Sequence, residues 1–249
     1  MKLGIMQPYF FPYLGHFALI SQCETWVVFD ITQYTPKSWM SRNRVLHPKE
    51  GWNYISVPIA NASISIKTAQ AQILSFAEVA PSLLGKISHY RRRAPFYAPV
   101  VRLITEIFST PTDRLVALNV RALDAVCRYL GIRFDYALAS ELELTLPEID
   151  HPGGWAPAIS RCLGATEYIN PISGRSIFRQ VDFEAAGIAL KFLDFRNFVY
   201  PTGPYRFEEG LSILDVMMWN EPAAIREAIA SHSSIIDSRE HLEMPLSAQ

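Results

Sequence analysis

Two stretches near the N-terminus gather side chains that could do chemistry. The first runs from Gln7 to His16 and packs Pro8, Tyr9, Phe10, Phe11, Pro12, Tyr13 and Gly15 into ten residues. Its prolines stiffen the chain, its glycine permits close approach of a ligand or a turn with positive φ, and its tyrosines offer rings to stack on. The second runs from Asp30 to Arg44. Lys37, Arg42 and Arg44 supply fixed positive charge there, and Arg grips a carboxylate or phosphate bidentately. Tyr34 and Trp39 offer further rings, while Gln33 and Asn43 carry both donors and acceptors. His16 or Asp30 would take a proton from an attacking amine. The amides of Gln7 and Asn43 would stabilise the oxyanion that follows.

These stretches need elements to aim them. Lys2 to Met6 and Trp26 to Phe29 are short apolar runs and read as buried strands, with a helix over Phe17–Ile20 between them. That order, strand–loop–helix–strand, is the minimal crossover of a parallel sheet. In such sheets ligands bind beyond the carboxyl ends of the strands, and the two stretches follow the first two strands. A helix N-terminus behind the first would offer free N–H groups to a phosphate. Downstream, strands are predicted over Tyr54–Ile59, Gln72–Phe76, Phe134–Leu138, Tyr168–Ile169 and Ile188–Leu193. Helices are predicted from Pro81 to Tyr90, Pro99 to Phe108, Asp113 to Tyr129 (stopped by Gly131), after His151-Pro-Gly-Gly, Ser212 to Trp219, and on to about Ala230. The fold class is therefore α/β: a mostly parallel, Rossmann-like sheet flanked by helices, with a helical C-terminal part. One domain covers 1–235, followed by a flexible tail at 236–249.

Composition excludes several classes. The chain has 249 residues, 49% hydrophobic and 19% charged, and a net charge of −1. That is not a disordered chain nor a general nucleic-acid binder. Three scattered cysteines suit reduced thiols in a cytoplasmic protein. The N-terminus lacks the pattern of a signal peptide, no run is long enough to insert in a membrane, and the six histidines show no metal-ligand spacing. Other candidates have plain structural explanations. Lys86, His89 and Arg91–Arg93 read as a solvated helix end, His151 as an inert loop histidine, Cys127 as core, and Asp215 as part of a capping box with Ser212.

Several motifs together resemble a known family. Met6-Gln-Pro-Tyr-Phe-Phe-Pro-Tyr-Leu-Gly15 is similar to the opening motif of the WbqC-like family, and Gln33-Tyr34, Trp39 and Arg42-Asn43 to its second. Gly164-Ala-Thr-Glu-Tyr168-Ile-Asn170-Pro-Ile-Ser173-Gly174 resembles its third, and Tyr200, Phe207 and Leu211–Asp215 its last. The resemblance covers roughly residues 1–230 in order; His16 stands where the family would be expected to carry an aromatic residue. It implies a transferase that places a glycyl or other acyl or aminoacyl unit on an amino or acidic sugar in surface-polysaccharide or O-antigen biosynthesis.

A second similarity points to nucleotidylyltransferases. Tyr13-Leu-Gly15-His16 occupies the place of their H-x-G-H motif, and Ile172-Ser173-Gly174-Arg175-Ser-Ile-Phe-Arg179 resembles their Ser-rich loop. It implies ATP and Mg²⁺, with Ser173, Gly174 and Arg175 at the phosphates.

Three functions follow as expectations. The first is acyl or aminoacyl transfer to a sugar or nucleotide-linked sugar. It uses Gln7, His16 and Asp30 for catalysis, and Tyr9, Gln33, Tyr34, Lys37, Trp39, Arg42, Asn43, Tyr168, Asn170, Ser173, Gly174 and Arg175 for binding. The second is ATP-dependent activation of a carboxylate or sugar phosphate. The third is a non-catalytic module of a polysaccharide assembly complex.

Overall fold

The computed structural model describes residues 1–239. Strand β1 (Lys2–Met6), helix α1 (Leu14–Gln22) and strand β2 (Thr25–Val28) form the expected crossover. The two strands pair in parallel, from Leu3 opposite Thr25 to Met6 opposite Val28. Strands β3 (Arg42–Leu46) and β4 (Trp52–Ser56) then make a separate antiparallel hairpin. Helices α2 (Phe76–Ile87), α3 (Tyr97–Ile107) and α4 (Leu115–Leu130) lead to strand β5 (Tyr136–Leu138). Helix α5 (Trp155–Cys162), strand β6 (Glu167–Pro171), helix α6 (Gln180–Ala186) and strand β7 (Ala189–Phe195) continue the α/β alternation. Helices α7 (Ile213–Trp219) and α8 (Pro222–His232) and strand β8 (Ser233–Asp237) close the described chain.

The main sheet has six strands in the order β5-β2-β1-β6-β7-β8. All neighbours are parallel except β7 and β8. The fold class is as expected from sequence. Both faces are buried, which suits short apolar strands. Leu3, Ile5 and Val27 point into the layer of α5 and α6, while Trp26 and Val28 point into the larger layer built on α1, α4, α7 and α8. The chain leaves β1 first toward β2 and β5, then returns to place β6 on β1's other side. The sheet's topological switch therefore lies between β1 and β6, where a crevice opens at the strands' carboxyl ends.

Four local expectations are corrected. Residues 42–46, predicted in no strand, form β3, with Arg42, Asn43 and Arg44 opposite Ser56, Ile55 and Tyr54 of β4. Residues 72–76 are not a strand: only isolated bridges, Ile59 to Ile73 and Gln72 to Arg114, form there. Helix α2 starts at Phe76 and runs through Pro81. Proline removes one hydrogen bond to the preceding turn, but burial of Val79, Leu83 and Ile87 on one stripe holds the helix together. Strand β8 pairs Ile236 with Phe192 and Asp237 with Lys191, at positions expected in the tail; 240–249 lie outside the described residues. The three cysteines are free thiols.

Candidate functional site

The loop after β1 has no repeating structure of its own, so its buried carbonyls must find partners elsewhere. Three polar side chains collect them. Asn119 on α4 donates to the Pro8 carbonyl at 2.7 Å and to the Met40 carbonyl at 2.8 Å. Asn43 on β3 donates to the Phe10 and Phe11 carbonyls at 3.1 and 2.9 Å. Ser212, the N-cap of α7, donates to the Phe11 carbonyl at 2.7 Å, and the Ile213 N–H takes the Pro12 carbonyl at 2.8 Å. These bonds hold Phe11 at φ +41°, a region few non-glycine residues occupy. Phe10 and Phe11 are buried, so the loop is anchored by its aromatics and presents Gln7 and Tyr9 at the sheet's rim.

There a cavity of about 480 Å³ opens at the switch point. The loop after β1 supplies Gln7 and Tyr9, and β6 supplies Tyr168 and Asn170. The turn after β6 adds Ser173, Gly174 and Phe178; Phe29, just past β2, and Trp155, at the start of α5, form an apolar wall, meeting edge to face with centroids 5.7 Å apart. Asn170 donates to the Tyr168 hydroxyl at 2.7 Å. A Cβ on Gly174 would lie 2.4 Å from the Asn170 Oδ1, so only glycine fits against this amide. Burial raises the Tyr9 phenol above its ordinary value, and burial raises that of Tyr168, opposed by the Asn170 bond. Both hydroxyls stay protonated at neutral pH. Among the described residues, the wall carries amides, hydroxyls and aromatic faces, and no Asp, Glu, Lys, Arg or His.

Six predicted site residues meet there: Gln7, Tyr9, Tyr168, Asn170, Ser173 and Gly174. The others do not. His16 is 1% exposed, its ring lies among Tyr9, Phe17 and Trp26, and its Nε2 has no partner. Burial lowers its pKa to about 3. A base must reach the proton it takes; His16 is core. Asp30 is equally buried and accepts bonds from the Ser140 N–H at 2.9 Å and hydroxyl at 2.6 Å, beside a different hollow against α4. Tyr34 is core at 1% exposure. Asn43 has its amide spent on the loop. Lys37, Trp39 and Arg42 lie off the cavity wall, Arg42 on β3 and Trp39 against Arg44 of the same strand, and Arg175 is on the right turn but also off the wall. Gln33 opens onto an adjoining groove of about 740 Å³, which shares Phe29, Pro152 and Trp155 with the cavity.

The expected phosphate cradle also dissolves. Gly15 lies inside α1, where an added Cβ would meet the Tyr13 ring at 2.4 Å. The start of that helix, Tyr13 and Leu14, faces a hollow of only about 30 Å³. The switch-point cavity does not fit ATP with Mg²⁺ either, since its wall has neither cation for a triphosphate nor carboxylate for a metal.

Sequence reasoning missed Phe29, Trp155 and Phe178. Phe29 carried a usable signal, because it closes the apolar run predicted as the second parallel strand. Two other residues change role. His151 accepts from the Gly153 N–H at 3.2 Å through Nδ1 and lies 2.9 Å from an Asp182 oxygen through Nε2, so it ties the α5 entry to α6. Asp215 does not complete a capping box: its carboxylate turns into the core and accepts from the hydroxyls of Tyr90 and Tyr200, the latter at 2.7 Å. Burial lifts its pKa to about 6, with the two phenols working in the opposite direction.

Among the described residues, no helix is long and apolar enough to cross a membrane. The chain is 26% identical over 220 residues to the uncharacterized protein Rv1507c of Mycobacterium tuberculosis (strain H37Rv), which covers 87% of this chain and 92% of that relative. No solved structure matches. The motifs that surround the cavity fall within a match to the WbqC-like protein family over residues 7–227, and the chain belongs to that family.

Proposed function

We propose that the protein is a transferase that places an acyl or aminoacyl group on the amine of a sugar, nucleotide-linked or free, in surface-polysaccharide assembly. The observation that carries this reading is the neutral, aromatic-walled cavity at the switch point between β1 and β6. A sugar ring suits such a wall: its C–H face covers Trp155 and Phe29, and its hydroxyls bond to amides and phenols. The adjoining groove gives the donor room beside the acceptor.

With both phenols held protonated, the wall offers no strong base, so the reaction leans on positioning. The acceptor arrives as the free amine, and its nitrogen attacks the carbonyl of an already activated donor. The carbon–nitrogen bond forms, the bond to the leaving group breaks, and the surplus proton departs to the leaving group. The Gln7 side-chain N–H stabilises the oxyanion between these events.

The test is a screen of the full chain with activated glycyl and acetyl donors against UDP- and dTDP-amino sugars, read as a mass gain on the sugar. Product is expected with at least one pair and should fall steeply in Gln7→Ala. Absence of product with every pair, while the sugars still bind, would leave a binding module instead.

A further inference from the structure

The hairpin that leaves the cavity with no charge carries an unusual surface of its own. Five side chains of the β3–β4 region stack in series. The Arg42 guanidinium lies 4.4 Å over the Tyr54 ring, and Tyr54 meets Trp52 edge to face at 4.7 Å. Arg44 then lies 5.1 Å from the Trp52 ring and 5.4 Å from that of Trp39. Trp39 and Trp52 are 41% and 39% exposed, and both arginines are half-buried.

The charge of this stack is not balanced. Among the described residues neither arginine is ion-paired; the neighbouring Glu50 instead faces Arg206 at 3.7 Å. Among the described residues, no hydrogen bond engages the Arg42 guanidinium, and Arg44 makes one, to the Gly210 carbonyl at 3.3 Å. The Nε of each is covered and unpartnered. Lys37, exposed and likewise without an ion pair, adds a third positive charge to the same stretch of chain. A guanidinium has five N–H donors in a planar fork. Stacking on a ring uses its face and leaves those edges unspent. The partner that completes such an edge is an oxyanion with two oxygens in one plane. The exposed indoles beside it suit the apolar face of a ring.

We propose that this hairpin face is a second ligand site, separate from the switch-point cavity, that takes a sugar bearing a carboxylate or a phosphate. Arg42 and Arg44 hold the oxyanion, and Trp39 and Trp52 cover the sugar ring. The proposal stands apart from the transferase reading, because none of these residues is on the cavity wall.

The experiment is calorimetric titration of the full chain with glucuronate, glucose 1-phosphate, inorganic phosphate and glucose. One or both charged sugars should bind, and which one does names the oxyanion; glucose should not bind. Arg42→Gln and Arg44→Gln should each weaken binding by about tenfold or more, the loss of one charged hydrogen-bonding group. Arg42→Lys keeps the charge but loses the fork, and should fall between. Gly174→Ala, which fills the cavity, should leave the titration unchanged. The proposal is overturned by glucose binding as tightly as the charged sugars, by inorganic phosphate binding as tightly as glucose 1-phosphate, by folded arginine variants that bind like the parent, by loss of binding in Gly174→Ala, or by no heat with either charged sugar up to roughly 10 mM, weaker than any built site.

Discussion

His16 and Asp215 are buried titratable groups with opposite consequences for stability. His16 has a folded pKa of about 3 against an ordinary 6.5, so the unfolded chain binds its proton first. Stability is lost as pH falls below about 6.5, by about 3 kcal/mol at pH 4. His16→Phe keeps an aromatic ring and should remove most of that loss, measured as urea unfolding at pH 7 and pH 4. Asp215 runs the other way: raised from 3.8 to about 6, its contribution is present below 3.8 and lost as pH rises through about 6. Tyr200→Phe removes one of the two hydroxyls that hold the ionised form. It should cost about 2 kcal/mol at pH 8, where the carboxylate is charged, and under about 1 kcal/mol at pH 5. Gly174→Ala acts on the site. Its methyl meets the buried Asn170 amide, so sugar transfer should drop by on the order of tenfold or more, and a thermal melt of the same variant reads the cost of shifting the Asn170–Tyr168 pair.

At the level of elements, the loop after β1 is held by others. Asn43, Asn119 and Ser212 come from β3, α4 and the α7 N-cap, and each takes carbonyls of residues 8–11. Asn43→Ala would leave the Phe10 carbonyl without a side-chain donor and the Phe11 carbonyl with Ser212 alone. The expected cost is about 2–3 kcal/mol in chemical denaturation, with faster amide exchange around residues 7–13 than elsewhere. Asn43→Ala with Asn119→Ala should cost less than the sum of the two, because both hold one loop. This explains why Asn43 reads as a ligand residue in sequence. A buried polar side chain between charged neighbours carries the same local signature whether it meets a substrate or a carbonyl.

At the scale of the whole molecule, the sheet has edges at β5 and β8. Ending the chain at His232 would strip β8 and bare the edge of β7 along five paired residues. Such a truncation should lower the unfolding midpoint and form larger species in sedimentation, since an exposed edge is a template for pairing. The parallel α/β frame, the first crossover and the positions of most helices were legible in the sequence. Those follow from apolar period and length, which are local properties. The sequence also placed Gln7, Tyr9, Tyr168 and Asn170 at or after predicted strands, and the rule for parallel sheets puts such residues at the crevice beyond the strands' carboxyl ends. That the first and third motifs share a cavity while the second does not emerges from long-range packing. Strand β6 reaches β1 across about 160 residues of chain, and the direction in which His16, Asp30, Asn43 and Arg42 point depends on what packs against them. Side-chain direction is set by the burial and hydrogen-bond partners that distant segments supply, and no window of sequence contains both halves of such a contact.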